Sequence, residues 1–357
     1  MTSRFLLGLV TALLTLLVGC KDPSADSGGT SGAALYAFDT TTSAVFVWKD
    51  LGALYDSPTQ APTYQLSSSL FSKVTSLAWG GLSFDSQRGV LYLVSDTGTI
   101  VRVRNIRTQN GSVPSAEGVS FALSSSGRLT NGKFGQASLD AQTDTLYITE
   151  SGDSLTQIWV VANASSQFQD ASVALQALQM SGDTGGTGVA AASGAVYAFM
   201  KDGGTVGINA TTGPRLRKGT ASAFDASQVI LGSLTSLGVY GSLALDTGNG
   251  NLFVARHNTD SGSTEAPIQV FRTGQFGLSF NQAPYATLGS ATSQADLRVL
   301  SHPGTKDWLV GLRGQGAVGY NTVYLWKSPL SGAAAQVIAV SPSGTVLKGV
   351  AVDGNAS

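Results

Sequence analysis

From residue 34 onward the chain sets short apolar runs between clusters of turn-forming residues. One run recurs: Leu35-Tyr36-Ala37-Phe38, Val90-Leu91-Tyr92-Leu93-Val94, Leu146-Tyr147-Ile148-Thr149, Val196-Tyr197-Ala198-Phe199, Leu252-Phe253-Val254-Ala255 and Trp308-Leu309-Val310. The aromatics stand at 36, 92, 147, 197, 253 and 308, separated by 56, 55, 50, 56 and 55 residues. Runs this short, bounded by Gly, Asn, Asp, Ser and Thr, read as strands rather than helices. Their even period marks an internal repeat.

Ahead of several copies lies a partner strand ending in Asp: Leu82-Ser83-Phe84-Asp85, Ala137-Ser138-Leu139-Asp140 and Leu243-Ala244-Leu245-Asp246. In all three the Asp precedes the aromatic by seven residues, across a turn, which is the pattern of a β-hairpin. A third strand follows in most copies, as in Val45–Trp48, Ile100–Val103, Ile158–Val161, Ile268–Phe271 and Val323–Trp326. A fourth is read at Val119–Leu123, Val173–Leu175 and Val337–Val340. Four short strands per period describe a propeller blade. The expected fold is all-β: a six-bladed β-propeller of four-stranded antiparallel blades over residues 33–357. The first period lacks a leading strand, while Gly349-Val350-Ala351-Val352-Asp353-Gly354 has no partner of its own. The C-terminal strand is therefore expected to complete the first blade and close the ring, removing exposed sheet edges. Asp85, Asp140, Asp246 and Asp353 read as turn caps.

Composition agrees with a turn-rich β protein. Of 357 residues, 44 are Gly and only 12% are charged. A net charge of −1 offers no basic field for phosphates, so nucleic acid is not an expected partner.

The N-terminal stretch differs from the rest. Arg4 is followed by an apolar run from Phe5 to Val18, then Gly19 and Cys20, which has the form of a secretion signal over 1–19. Leu17-Val18-Gly19-Cys20 resembles the lipobox of bacterial lipoproteins. That resemblance implies that Cys20, the single cysteine of the chain, is acylated and becomes the first mature residue. Residues 20–32 hold nothing to bury and read as a flexible tether, reaching on the order of 20 Å. By resemblance to the sorting rule of enteric bacteria, Lys21 after the cysteine favours the outer membrane, with Asp22 one place later. The expected location is thus the bacterial cell envelope, lipid-anchored.

The repeat pattern also resembles the six-bladed propellers that include NHL-repeat proteins and the SMP-30/gluconolactonase-like calcium hydrolases. In the hydrolases a Glu and several Asn or Asp residues near the inner strands hold calcium. The corresponding positions here are Gly80, Gln136, Thr187, Ser242, Asp296 and Lys348, a poor cage for a cation that takes 6–8 oxygens. No metal site and no catalytic residue is therefore assigned, calcium being the one cofactor considered. Asp246-Thr247-Gly248-Asn249-Gly250-Asn251 lacks the alternating acids and final Glu of a calcium loop and reads as a hairpin turn. Residues 182–188 are glycine-rich without the following Lys and helix of a phosphate cradle. His257 and His302, the two histidines, read as surface or loop residues.

One constellation remains. Loops from second to third strands share a face, and in ring order they carry Asp39, Asp96, Glu150 with Asp153, Lys201 with Asp202, Arg256 with His257, and Arg313. Acids lead and cations follow, giving a dipolar mouth suited to a mixed-charge ligand or a protein surface. The expected function is a lipid-anchored binding or assembly module for an unknown protein or small-molecule ligand. The alternative is a calcium-dependent lactonase or esterase.

Overall fold

Antiparallel strands follow one another from Ala34 to Asp353. The structure, a computed structural model, describes residues 32–153, 155–174, 176–180, 188–200, 215–231, 241–255, 267–278, 282–289, 297–313, 322–340 and 344–355. Blade 1 begins with β1 (Ala34–Asp39), β2 (Ala44–Trp48) and β3 (Tyr64–Ser67). Blade 2 has β4 (Leu77–Asp85), β5 (Val90–Ser95), β6 (Thr99–Val103) and β7 (Gly118–Leu123). Blade 3 has β8 (Lys133–Asp140), β9 (Thr145–Ser151) and β10 (Thr156–Val161); β11 (Ser172–Val173) intervenes before its outer strand, β12 (Ala177–Met180). Blade 4 is β13 (Gly188–Ala192), β14 (Ala195–Met200), β15 (Arg215–Gly219) and β16 (Phe224–Leu231). Blade 5 is β17 (Leu243–Asp246), β18 (Asn251–Ala255), β19 (Ile268–Arg272) and β20 (Ala286–Leu288). Blade 6 is β21 (Leu297–Ser301), β22 (Trp308–Arg313), β23 (Thr322–Lys327) and β24 (Gln336–Ala339). The last strand, β25 (Leu347–Asp353), pairs with β1 in the order β25-β1-β2-β3 and supplies the inner strand of blade 1. The inner strands touch in the cycle β25, β4, β8, β13, β17, β21 and back to β25, so the ring is closed.

The core lies between blades. Six apolar clusters fill the interfaces between neighbouring blades, and the repeating aromatics Tyr36, Tyr92, Tyr147, Tyr197, Phe253 and Trp308 are all buried in them. That burial explains the period: each blade needs one large ring on its second strand to fill the wedge beside it.

Two details differ from the sequence reading. Val173, expected to open the outer strand of blade 3, instead forms with Ser172 a short strand that pairs in parallel with Ala122 and Leu123 of β7, covering the outer edge of blade 2. The N–H of Ala122 and that of Ser124 find acceptors in Ala171 and Val173, which would otherwise be open edge groups. Also unexpected is a short helix, α1 (Leu51–Asp56), between β2 and β3. Asp50 caps it through Gly52 N–H (2.8 Å), and Leu51 and Leu54 are buried one turn apart. Part of the short 50-residue step to Tyr197 is local: Ala192 pairs directly with Ala195, leaving a two-residue turn at Ser193 (φ 53°) and Gly194 (φ 79°) where the hairpins after Asp85, Asp140 and Asp246 have four residues.

Candidate functional site

Each inner strand turns one edge to the central channel, where its N–H and C=O groups have no strand partner. Serine hydroxyls take up this role. The N–H of Leu139 donates to Ser83 Oγ (3.1 Å), that of Ala191 to Ser138 Oγ (3.0 Å), that of Leu300 to Ser242 Oγ (2.9 Å) and that of Val352 to Ser301 Oγ (3.2 Å). Each bond links one blade to the next.

Ala190, Ala244 and Ala351 take the register position that Ser83 and Ser138 hold in blades 2 and 3; Ser242 substitutes in blade 5, and among the described residues no hydroxyl bridges blades 4 and 5. Gln136 acts there instead. Its Oε1 accepts from Val189 N–H (3.2 Å) and Leu243 N–H (2.9 Å), while its Nε2 donates to Leu243 O (2.6 Å). A bulge in β8 between Phe134 and Ala137 aims this side chain inward. Gly80 (φ +75°) makes room for it, since a Cβ there would lie 3.1 Å from Gln136 Cγ.

Toward the hairpins joining first and second strands, the repeated aspartates cap their turns. Asp85 Oδ1 accepts from Gln87 and Arg88 N–H (2.9 and 3.0 Å), and its Oδ2 pairs with the Arg88 guanidinium at 2.9 Å. Asp246 accepts from the backbone and side chain of Asn249 and from Asn251 Nδ2. Asp140 joins two blades, accepting from Gln142 N–H (3.1 Å) and from Gly194 N–H of blade 4 (2.7 Å). Asp353 holds Arg107 in a two-pronged ion pair and accepts from Asn355 N–H (2.9 Å).

Between this ring of hairpins and Gln136 the channel widens into a cavity of about 470 Å³. That volume falls in the range of small-molecule sites, ~300–1,000 Å³. Ala137, Ala190, Ala244 and Ala351 in its wall leave the space open. Among the described lining residues Asp140 is the single acid, and neither Lys nor Arg is present. His302 also lines it, with its ring stacked on Phe253 (centroids 5.6 Å apart, 20° between planes). Its Nδ1 accepts from Gly304 N–H at 3.0 Å, which puts the ring proton on Nε2. His302 keeps some surface on the channel, yet desolvation by its neighbours pulls its pKa down to about 4, against smaller opposing effects of Asp246 and Asp307. The sequence offered His302 only as a loop histidine; its bond from Gly304 N–H is local, while its packing depends on Phe253 of blade 5.

Of the charges read from the sequence for the loops between second and third strands, Asp39, Asp96, Glu150, Asp153 and Arg313 are among the described residues. Asp39 is buried and accepts from Thr41, Thr42 and Val346 N–H and from Thr42 Oγ1, tying the β1–β2 turn to the segment before β25. Glu150 is also buried, pairing with Arg128 Nε (2.6 Å) and accepting from Leu129 N–H, Gln157 Nε2 and Trp159 Nε1. Asp153 is exposed and accepts from Asn131 Nδ2. Asp96 is half-buried, with Oδ1 unpartnered among the described residues. Arg313 is half-buried at the end of β22, opposite Leu297. Cys20, Lys201, Asp202, Arg256 and His257 lie outside the described residues, as do Thr187 and Asp296. Lys348 sits half-buried at the bulge where β25 meets the end of β1. A cation the sequence reading passed over, Arg298, lies over Trp79 at 5.0 Å, also at a bulge. Among the described residues no three His, Cys, Asp or Glu side chains converge as a metal-binding group.

No protein-family model matches the sequence, and a search of curated proteins finds no match. Solved structures do match. The chain is similar to one in a crystal structure of a nidogen/laminin complex, with a TM-score of 0.54 and 12% identity over 90% of this chain and 98% of that one. It also matches TolB from Acinetobacter baumannii with a TM-score of 0.49 and 13% identity, over 90% of this chain and 66% of that one. At 12% identity the nidogen/laminin likeness is one of fold, and it agrees with the strand order described above: the chain is a six-bladed β-propeller.

Proposed function

We propose that the chain is an exported, lipid-anchored propeller that serves as a binding module at the bacterial cell envelope, with the channel cavity as its ligand site. The observation that carries the binding role is the wall of that cavity. It is held in place by hydrogen bonds between blades, its acid already accepts backbone N–H groups, and its remaining polar groups are neutral. Such a wall can orient a ligand by hydrogen bonding. The anchor rests on the lipobox-like run ending at Cys20, and the outer membrane on Lys21 beside it.

Two experiments test this reading. A photo-crosslinking residue at Gln142, exposed on the cavity rim, should capture a species in cells that the same residue at Val337, on the outer edge of blade 6, does not. Identical products from both sites overturn the cavity as the binding site. Cys20→Ser should move the protein out of the detergent phase in phase partitioning, since the chain has no other thiol to acylate. Retention in that phase overturns the anchor.

The opposite mouth is proposed to meet a mixed-charge partner through Asp96, Lys201, Arg256 and Arg313. Arg256→Glu combined with Arg313→Glu should slow partner capture at low salt while leaving the melting temperature unchanged.

A further inference from the structure

We infer that the cavity takes a neutral, hydroxyl-rich ligand of the saccharide or polyol class, oriented by the Nε2–H of His302. This rests on the reading of the cavity as the binding site and adds the chemistry of what fills it.

The first argument is charge. Asp140, the acid of the wall, has Oδ1 and Oδ2 each accepting a backbone N–H. The nearby cations Arg88 and Arg107 are held by Asp85 and Asp353 at 2.9 Å and at 2.6 and 2.7 Å. An ionic ligand would lose its water and find no free counter-charge, which makes its transfer costly.

The second argument is the kind of polar group on offer. The hydroxyls of Ser83, Ser138 and Ser301 each accept an N–H from the next blade, and each keeps its own proton to donate. Inner-strand carbonyls lie beside them as acceptors. Ligand hydroxyls, able to donate and accept, match such a mixed wall; a purely apolar ligand would leave it unsatisfied.

The third argument is His302. Stacking on Phe253 fixes the ring plane, and Gly304 N–H fixes the tautomer, so Nε2–H is a donor set before any ligand arrives. It has no acceptor among the described residues. Asp246 and Asp307 are the charged groups acting on the ring, Asp140 the one in the shared wall. Burial holds the ring neutral down to about pH 4, so it donates one proton without bringing charge.

The test uses full-length protein labelled at histidine. With two histidines in the chain, a His257→Gln control identifies the His302 signals. The probes are glucose, trehalose and N-acetylglucosamine, against glucuronate and glucosamine as charged counterparts. At least one neutral probe should shift the His302 signals saturably and bind ten-fold or more tightly than the charged ones. His302→Phe, which keeps the stack and removes the donor, should weaken it at least ten-fold, whereas Arg313→Ala at the other mouth should not. Should His302→Phe fail to fold, Gln142→Trp on the exposed rim narrows the opening and should give the same loss. Wild-type affinity in His302→Phe, or in Gln142→Trp where that variant is used, overturns the inference. Shifts with charged probes alone overturn the ligand class while the cavity reading stands, and silence from the whole panel overturns both.

Discussion

Arg107 and Asp353, 246 residues apart, meet in a two-pronged ion pair with contacts of 2.6 and 2.7 Å. The carboxylate belongs to the C-terminal strand that completes blade 1, and the guanidinium to the loop between the third and fourth strands of blade 2. Arg107 also donates to Ser86 O, and Gly354 N–H donates to Ser86 Oγ (3.1 Å). The last strand is thus secured to blade 2 as well as to β1. Asp353 is fully buried, so no solvent can take the place of this partner.

Arg107→Ala should therefore destabilise the fold by about 2–3 kcal/mol, because it leaves a buried carboxylate with only Asn355 N–H to accept from. Arg107→Lys should recover part of this, since an ammonium cannot match the fork. Arg88→Ala is the control: its side chain is 37% exposed, and its loss should cost less than about 1 kcal/mol. Urea unfolding of the three variants checks the order.

Deleting residues 349–357 removes most of an inner strand, including the buried Val350, Ala351 and Val352. The melting temperature should fall by ~10 °C or more. Deleting the tether, 21–32, should leave it within ~2 °C. Equal melting temperatures for the two truncations would refute closure by the C-terminal strand.

The bonds between inner strands should carry measurable stability. Ser138→Ala strands the Ala191 N–H and should cost about 1–2 kcal/mol. Gln136→Leu frees three backbone groups of blades 4 and 5 at once and should cost about 2–4 kcal/mol. Denaturation with an unchanged m-value would place both effects in the folded state.

Stability should depend on acid through His302. Its pKa is near 6.5 in the unfolded chain and about 4 in the fold, so between these values the unfolded state binds more protons. Stability is then lost as pH falls from about 6.5 to about 4, at no more than ~1.4 kcal/mol per pH unit, and levels off below. Above pH 7 this group contributes no slope. His302→Phe should flatten that window, which pH-dependent urea titration can read.

Glu150 should behave as a structural acid. Glu150→Ala should cost about 3–5 kcal/mol, because Arg128 loses its counter-charge, Gln157 one of its two acceptors and Trp159 Nε1 its acceptor. The change should appear in the fluorescence of Trp159. Wild-type stability would instead mean that Glu150 is free to serve the mouth.

What the sequence determined by itself is what depends on short range. Short apolar runs and the turn residues between them define the strands of each repeat, and the aromatics at 36, 92, 147, 197, 253 and 308 follow from one wedge per blade. The unpaired strand near 350 was legible because a repeat with a missing member shows at both ends of the chain. The turn-capping role of Asp85 and Asp246 was legible for the same local reason. Tertiary structure decided everything that passes between blades. Gln136 meets Leu243 across 107 positions, and no spacing rule announces a bond that exists only because the ring brings blades 3 and 5 to one channel. Asp39 and Glu150 read as mouth charges, since a carboxylate after a strand looks the same whether solvent or Arg128 receives it. Burial settles which, and burial is a property of neighbours that lie far away along the chain.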